Sequence, residues 1–137
     1  MLILALVATV ASLVWMGFFM LGSLPLLVLK HDTPLDARFI RGLFNVYYTA
    51  ILVTSTVGAV AYAFNGRPLF AFAAALVAAV GAAGRFGVVR HMDMLRAGMS
   101  AEDSAGIRRF RRVHIGGMLV NVALLLLCCL GLTQLRL

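Results

Sequence analysis

The chain has three histidines, His31, His91 and His114, and each falls at the edge of a long apolar run. All five acids, Asp32, Asp36, Asp93, Glu102 and Asp103, crowd into the same stretches. Imidazoles with carboxylates nearby are the donor set of a transition-metal site, and two histidines suffice as axial ligands to haem. Spacing alone does not bring them together, because there is no His-x-x-x-His and no Cys-x-x-Cys. A histidine at a helix end also serves simply to hydrogen-bond the last carbonyls or a lipid headgroup.

His114 has company of its own. Phe110, His114, Gly117, Asn121 and Cys128 recur at helical spacing and therefore share one helix face. Asn121 is the one amide deep in an apolar run. An amide in hydrocarbon is costly unless it faces protein or water, so Asn121 points inward, and His114 with it. The plainer reading of Asn121 is interhelical glue worth about 1 kcal/mol. Gly117 between the two leaves room for a partner helix or a flat ligand.

Matching polarity occurs upstream, where Tyr48, Ser55 and Tyr62 recur every seven residues beside Tyr47 and Thr54. We expect a polar seam between the second and fourth helices, and a pocket lined by Tyr48, Ser55, Phe110 and Gly117 on the arginine-rich side. His114 and Asn121 are its principal ligand candidates, with His31, His91 and Asp93 as further ones. Arg85 lies about 8 Å of helix rise from Arg90, inside the apolar run. It either snorkels or serves as anion partner to Asp93, His114 or a ligand carboxylate. Met16, Met20 and Met118 are soft enough for copper, though methionine is a routine packing residue. The adjacent Cys128 and Cys129 read as small packing residues.

The elements that position these groups follow from charge. Only 12% of the 137 residues are charged while 63% are hydrophobic, a balance suited to lipid. Uncharged gaps run over Met1 to Leu29, Gly42 to Gly66, Pro68 to Gly84 and Val113 to Leu135. A bilayer core takes about 20 helical residues, so the third gap must extend past Arg85 to span. The expected fold is all-α, one membrane domain of four helices running up-down-up-down, with spans near 3–29, 42–64, 68–90 and 112–134. Strand-based barrels need alternation that these continuous apolar runs lack. The first run has no Lys or Arg before it and is too long for a signal-peptide core, so it reads as a retained span.

The net charge of +7 would raise the question of nucleic acid in a soluble chain, but its distribution points to topology. Ten basic residues fall in the connections after spans one and three, against Arg67 and Arg136 elsewhere. The positive-inside rule then places both connections in the cytoplasm and both termini outside, in a multi-pass inner membrane protein. The arginine cluster can also attract anionic headgroups.

Local signals mark the connections. Pro25 removes a backbone donor from the first helix. Thr33 before Pro34 ends it. Asn65-Gly66-Arg67-Pro68 allows only a tight antiparallel turn. The Ala- and Gly-rich third span, with Ala71, Ala75 and Ala79 four apart, predicts the most deeply packed helix. Ser100 followed by Asp103 predicts a cap with the fourth helix starting at Ala101.

Two stretches carry a family resemblance. Leu43-Phe44-Asn45-Val46-Tyr47-Tyr48 looks like the Leu-Phe-Pro-x-Tyr-Phe segment that opens span two in the transmembrane protein 205-like family of small four-span membrane proteins, with Asn45 in place of proline. Phe110-Arg111-Arg112-Val113-His114, followed by Asn121, resembles that family's opening of span four. The resemblance implies the four-span fold and points to His114 and Asn121 as site residues. The family's biochemistry is unsettled, one eukaryotic member being associated with resistance to a platinum drug. A fainter similarity, in Trp15, Gly17 and Pro25 before His31, is to the haem-containing bacterial protoporphyrinogen oxidases, though that family's other histidine near the start of span one has no counterpart here.

No Gly-x-Ser-x-Gly, Walker loop or paired intramembrane carboxylates occur, so hydrolase and nucleotide chemistry lack support. The sequence points to a membrane bundle whose polar pocket binds haem, a transition metal or a small amphipathic ligand, as a membrane oxidoreductase if it is an enzyme. The competing expectations are a non-catalytic subunit of a membrane complex and an oligomeric transporter.

Overall fold

The computed structural model describes residues 1–28 and 34–134. His31 and Asp32, with the rest of the first connection, lie outside the described residues, as does Arg136. Four helices account for nearly everything else: α1 (Leu2–Val28), α2 (Pro34–Phe64), α3 (Pro68–Ala97) and α4 (Ser104–Thr133). Each is long and apolar enough to cross a membrane. At 1.5 Å per residue, 27 to 31 residues overrun a hydrocarbon core of about 30 Å, so the helix ends reach the headgroup zone.

The helices alternate in direction, as their contacts show. Thr9 near the start of α1 meets Tyr62 near the end of α2. Arg111 near the start of α4 reaches the Leu27 carbonyl at the end of α1. One end of the bundle therefore holds the start of α1, the α2–α3 turn and the end of α4. The opposite end is rich in arginine. The turn is as tight as its sequence requires: Gly66 has φ of 65°, a left-handed conformation that glycine adopts without steric cost, and Pro68 opens α3, where a missing N–H costs nothing.

Helix α2 is the central element, packed against both α1 and α3. It buries 39% of its apolar stretch, against 22% for α3, which corrects the expectation that α3 is the most deeply packed helix. The small residues of α3 divide by face. Gly81 and Gly84 turn toward α2, where a Cβ on Gly81 would stand 2.8 Å from the Leu52 nitrogen and one on Gly84 would enter the Tyr48 ring. Ala75, Ala79 and Ala83 turn outward and are exposed.

Helix α3 does not keep one phase. Residues Gly84–Val88 form a π-helical turn between Pro68–Ala83 and Val89–Ala97. Such a turn absorbs one extra residue and rotates everything beyond it by about 100°. Buried positions run Val77, Gly81, Gly84 and then Val89, Met92, with five residues in place of four across the turn. An unbroken α-helix would aim His91 at the core. The turn puts Met92 there instead, leaves His91 exposed and swings Asp93 to the α2 side.

Helix α4 begins later than the sequence suggests. Asp103, not Ser100, is its cap, accepting from the Gly106 nitrogen at 2.9 Å. A carboxylate satisfies an open N–H at the positive end of a helix better than a hydroxyl, and Gly106 lets it approach, since a Cβ there would meet the Asp103 carboxylate.

Candidate functional site

The arginine-rich half of the bundle is closed by aromatic packing. Phe44 is fully buried and lies edge-on to Phe19, Tyr48 and His114, with ring centroids 4.9, 5.8 and 5.7 Å away. Phe19 stacks on Tyr47 at 4.3 Å. Gly117 makes this possible, because any Cβ on it would enter the Phe44 ring. The room at Gly117 is thus taken by a side chain of α2, and Tyr48, Phe110 and Gly117 are parts of a packed core. His114 is buried on the same face of α4 as Phe110 and Asn121.

One layer further in, Asn121 is fully enclosed. Its Oδ1 accepts from the Tyr47 hydroxyl at 2.6 Å and its Nδ2 donates to the Met16 carbonyl at 3.2 Å. Three helices meet through one amide. This is the bond between α2 and α4 that the tyrosine spacing anticipates.

Beyond Asn121 the seam changes partners. Ser12 of α1 stands 2.8 Å from the Thr54 hydroxyl and 3.3 Å from that of Ser55, and Thr9 stands 3.0 Å from Tyr62. The polar seam in this half therefore joins α1 to α2, where a seam between α2 and α4 was expected. Small residues let the two helices close: a Cβ on Gly58 would meet Ala8 at 3.6 Å.

Because α1 and α2 close on each other here while α4 stays back, a cavity of about 350 Å³ opens among all four helices. Thr9, Ser12, Thr54, Ser55 and Tyr62 make its polar wall. Phe70, Ala74 and Val77 of α3 and Leu127 and Cys128 of α4 make much of the rest. Its size falls within the range of small-molecule sites, which are mostly apolar with a few placed polar groups. Among the described residues no charged side chain and no imidazole lines it. The cavity lies in the half away from the arginine cluster, and of the four expected lining residues Ser55 is the one that faces it.

No protein-family model, curated protein or solved structure matches the chain.

The two described histidines do not meet: His91 is exposed on α3 while His114 is enclosed in the core. Among the described residues no group of three His, Cys, Asp or Glu side chains is placed to hold a metal ion. Both cysteines are free thiols, Cys128 partly buried and Cys129 exposed.

Asp93 belongs to an ion pair. Arg41 donates to its two carboxylate oxygens at 2.7 Å each, and Arg96 stands 3.6 Å away. These groups lie beyond the apolar runs, where Asp93 is 43% exposed. The Arg41 hydrogen bonds hold the Asp93 carboxyl below the usual carboxylate range, partly opposed by desolvation, with Arg96 and Arg85 adding smaller attractions. Arg85 itself is half-buried, its guanidinium 5.8 Å from the Phe86 ring centre. Arg41, which the sequence marks only as a topology signal, is the partner that closes α2 on α3.

Proposed function

We propose that this integral membrane protein holds a small, mostly hydrocarbon, amphipathic molecule in the cavity shared by its four helices. The observation that carries the reading is the cavity itself, with one hydroxyl-bearing wall and otherwise apolar sides. Leu69, Leu127 and Leu130 on its rim are exposed, so the cavity opens sideways and a hydrocarbon molecule can enter it from the bilayer. The occupant we propose is not haem or a transition metal, because among the described residues the lining offers no imidazole or carboxylate beside the lone Cys128 thiol. Kinship with the transmembrane protein 205-like family, on Phe110, His114 and Asn121, is compatible with this reading.

The test is extraction of the purified protein with organic solvent followed by mass spectrometry. A molecule at near-stoichiometric amount is expected, and it should be lost from Ala74→Phe, which fills the cavity, while helicity is kept. A protein that carries nothing, and whose melting temperature Ala74→Phe raises, sinks the proposal. We further propose that the arginine-rich end faces the cytoplasm. A cysteine placed at exposed His91 should then react with an impermeant reagent only in inverted vesicles.

A second reading is favoured by one observation. Ala75, Ala79, Ala83 and Gly87 form an exposed row of small residues on α3, the kind of surface on which another helix packs closely in lipid. A second copy or a partner subunit would cover it. Cysteine crosslinking at Ala79 in native membranes should trap that contact, and its absence removes this reading.

A further inference from the structure

The hydroxyls on the cavity wall can be assigned proton by proton, and the assignment constrains what binds there. A hydroxyl carries one proton and two lone pairs. Thr9 donates to the Ala5 carbonyl at 2.9 Å, so in its 3.0 Å contact with Tyr62 the phenol is the donor. Both of those protons are committed. Deeper in, Ser12 reaches the Ala8 carbonyl at 3.0 Å and Thr54 the Ala50 carbonyl at 2.9 Å. Ser12 also contacts Thr54 at 2.8 Å and Ser55 at 3.3 Å. Ser12, Thr54 and Ser55 thus have three protons for four contacts. The cluster has lone pairs to spare and no proton to give.

From this we infer that the ligand is a neutral lipid alcohol whose hydroxyl donates into the Ser12–Thr54–Ser55 cluster, with its hydrocarbon against Phe70, Val77 and Leu127. The inference rests on the cavity reading above. Neutrality follows from the lining, which among the described residues has no charged side chain to pair with a carboxylate, phosphate or ammonium. The donor role follows from the proton count: a ketone, ether or ester brings only lone pairs to a cluster already short of protons. The Gln134 side chain also lines the cavity, from just past the end of α4.

The experiment uses the full chain in phosphatidylcholine vesicles and a long-chain alcohol carrying a diazirine and an alkyne. Photolabelling should map to residues around Ala74, Val77 and Leu127. Unlabelled hexadecanol should compete at about five- to tenfold lower concentration than its methyl ether, the equivalent of one net hydrogen bond. The ether keeps the chain and the oxygen and lacks only the proton. Ser55→Ala should narrow that ratio toward unity, and the comparison on the unaltered protein decides alone if that variant fails to fold. A sterol, a prenol and a diacylglycerol, which share the hydroxyl, identify its natural source by which competes best.

Equal competition by alcohol and ether overturns the donor assignment while leaving the cavity reading in place. Labelling that misses Ala74 and Val77 and falls only on exposed residues such as Leu119 and Leu126 overturns both.

Discussion

The Tyr47 hydroxyl donates to Asn121 Oδ1 at 2.6 Å with both side chains fully enclosed, and the same amide holds the Met16 carbonyl. This single layer divides the interior into two regions of different character. On the arginine-rich side the space is filled by Phe19, Phe44 and His114. On the other side a hydroxyl-lined cavity opens.

That layer should carry measurable coupling. Tyr47→Phe removes the donor and leaves the Asn121 oxygen enclosed without it, and Asn121→Ala removes the amide from the Tyr47 hydroxyl. A double-mutant cycle on unfolding in detergent should give a coupling of about 0.6–1.7 kcal/mol, the range for polar contacts between membrane helices. Strict additivity of the two single changes would refute the bond.

Gly117 and Gly116 are neighbours with opposite expectations. A Cβ on Gly117 enters the Phe44 ring, whereas one on Gly116 meets nothing within 4 Å. Gly117→Ala should cost about 1–3 kcal/mol by overpacking. Gly116→Ala should be neutral or slightly favourable, since alanine is the better helix former. Equal melting temperatures for the two variants would contradict the packing of Phe44 on Gly117.

Much of this bundle is legible in the chain. The spacing of charge gives four spans, Asn65 to Pro68 gives the turn, and the periodicity of Phe110, His114, Gly117 and Asn121 gives the inward face of α4. Two kinds of feature escape such reading. A π-helical turn slips the phase of α3 by one residue, so periodicity counted through Gly84 misplaces His91 and Asp93. Which interhelical gap fills and which stays open depends on single side chains, as Phe44 shows by occupying the room left by Gly117. Had hydroxyl spacing on α1 been compared with that on α2, Thr9 and Ser12 would have pointed to Thr54, Ser55 and Tyr62. The placement of His31 and Asp32, expected at the same end as His91, falls outside the described residues.

Acid should weaken the clamp between α2 and α3. Because Arg41 lowers the folded-state pKa of Asp93, the pair contributes stability above the unfolded-state pKa and loses it as pH falls through the lower folded value. Both side chains are partly exposed, so the contribution is discounted to about 0.5–1 kcal/mol. At neutral pH Asp93→Asn should melt below the unaltered protein. The gap should close only in the strongly acidic range, below the usual carboxylate pKa. A gap that persists unchanged to the most acidic conditions would assign the effect to packing.

The π-helical turn makes the sharpest demand on the structure, because one residue sets the phase of everything beyond it. Gly87 lies within the turn, is exposed, and has nothing within 4 Å of the Cβ it lacks. Deleting it should restore a continuous α-helix at little local packing cost. The segment beyond would then rotate by about 100°, bringing His91 inward and carrying Asp93 away from Arg41. In that background Asp93→Asn should no longer change the melting temperature, and a cysteine at His91 should lose its reactivity toward a water-soluble reagent. Gly87→Ala, which keeps the residue count, should leave both properties as they are. If the deletion keeps the Arg41–Asp93 coupling and the exposure of position 91, the extra residue does not set the phase, and the placement of Asp93 must come from the α2–α3 packing alone.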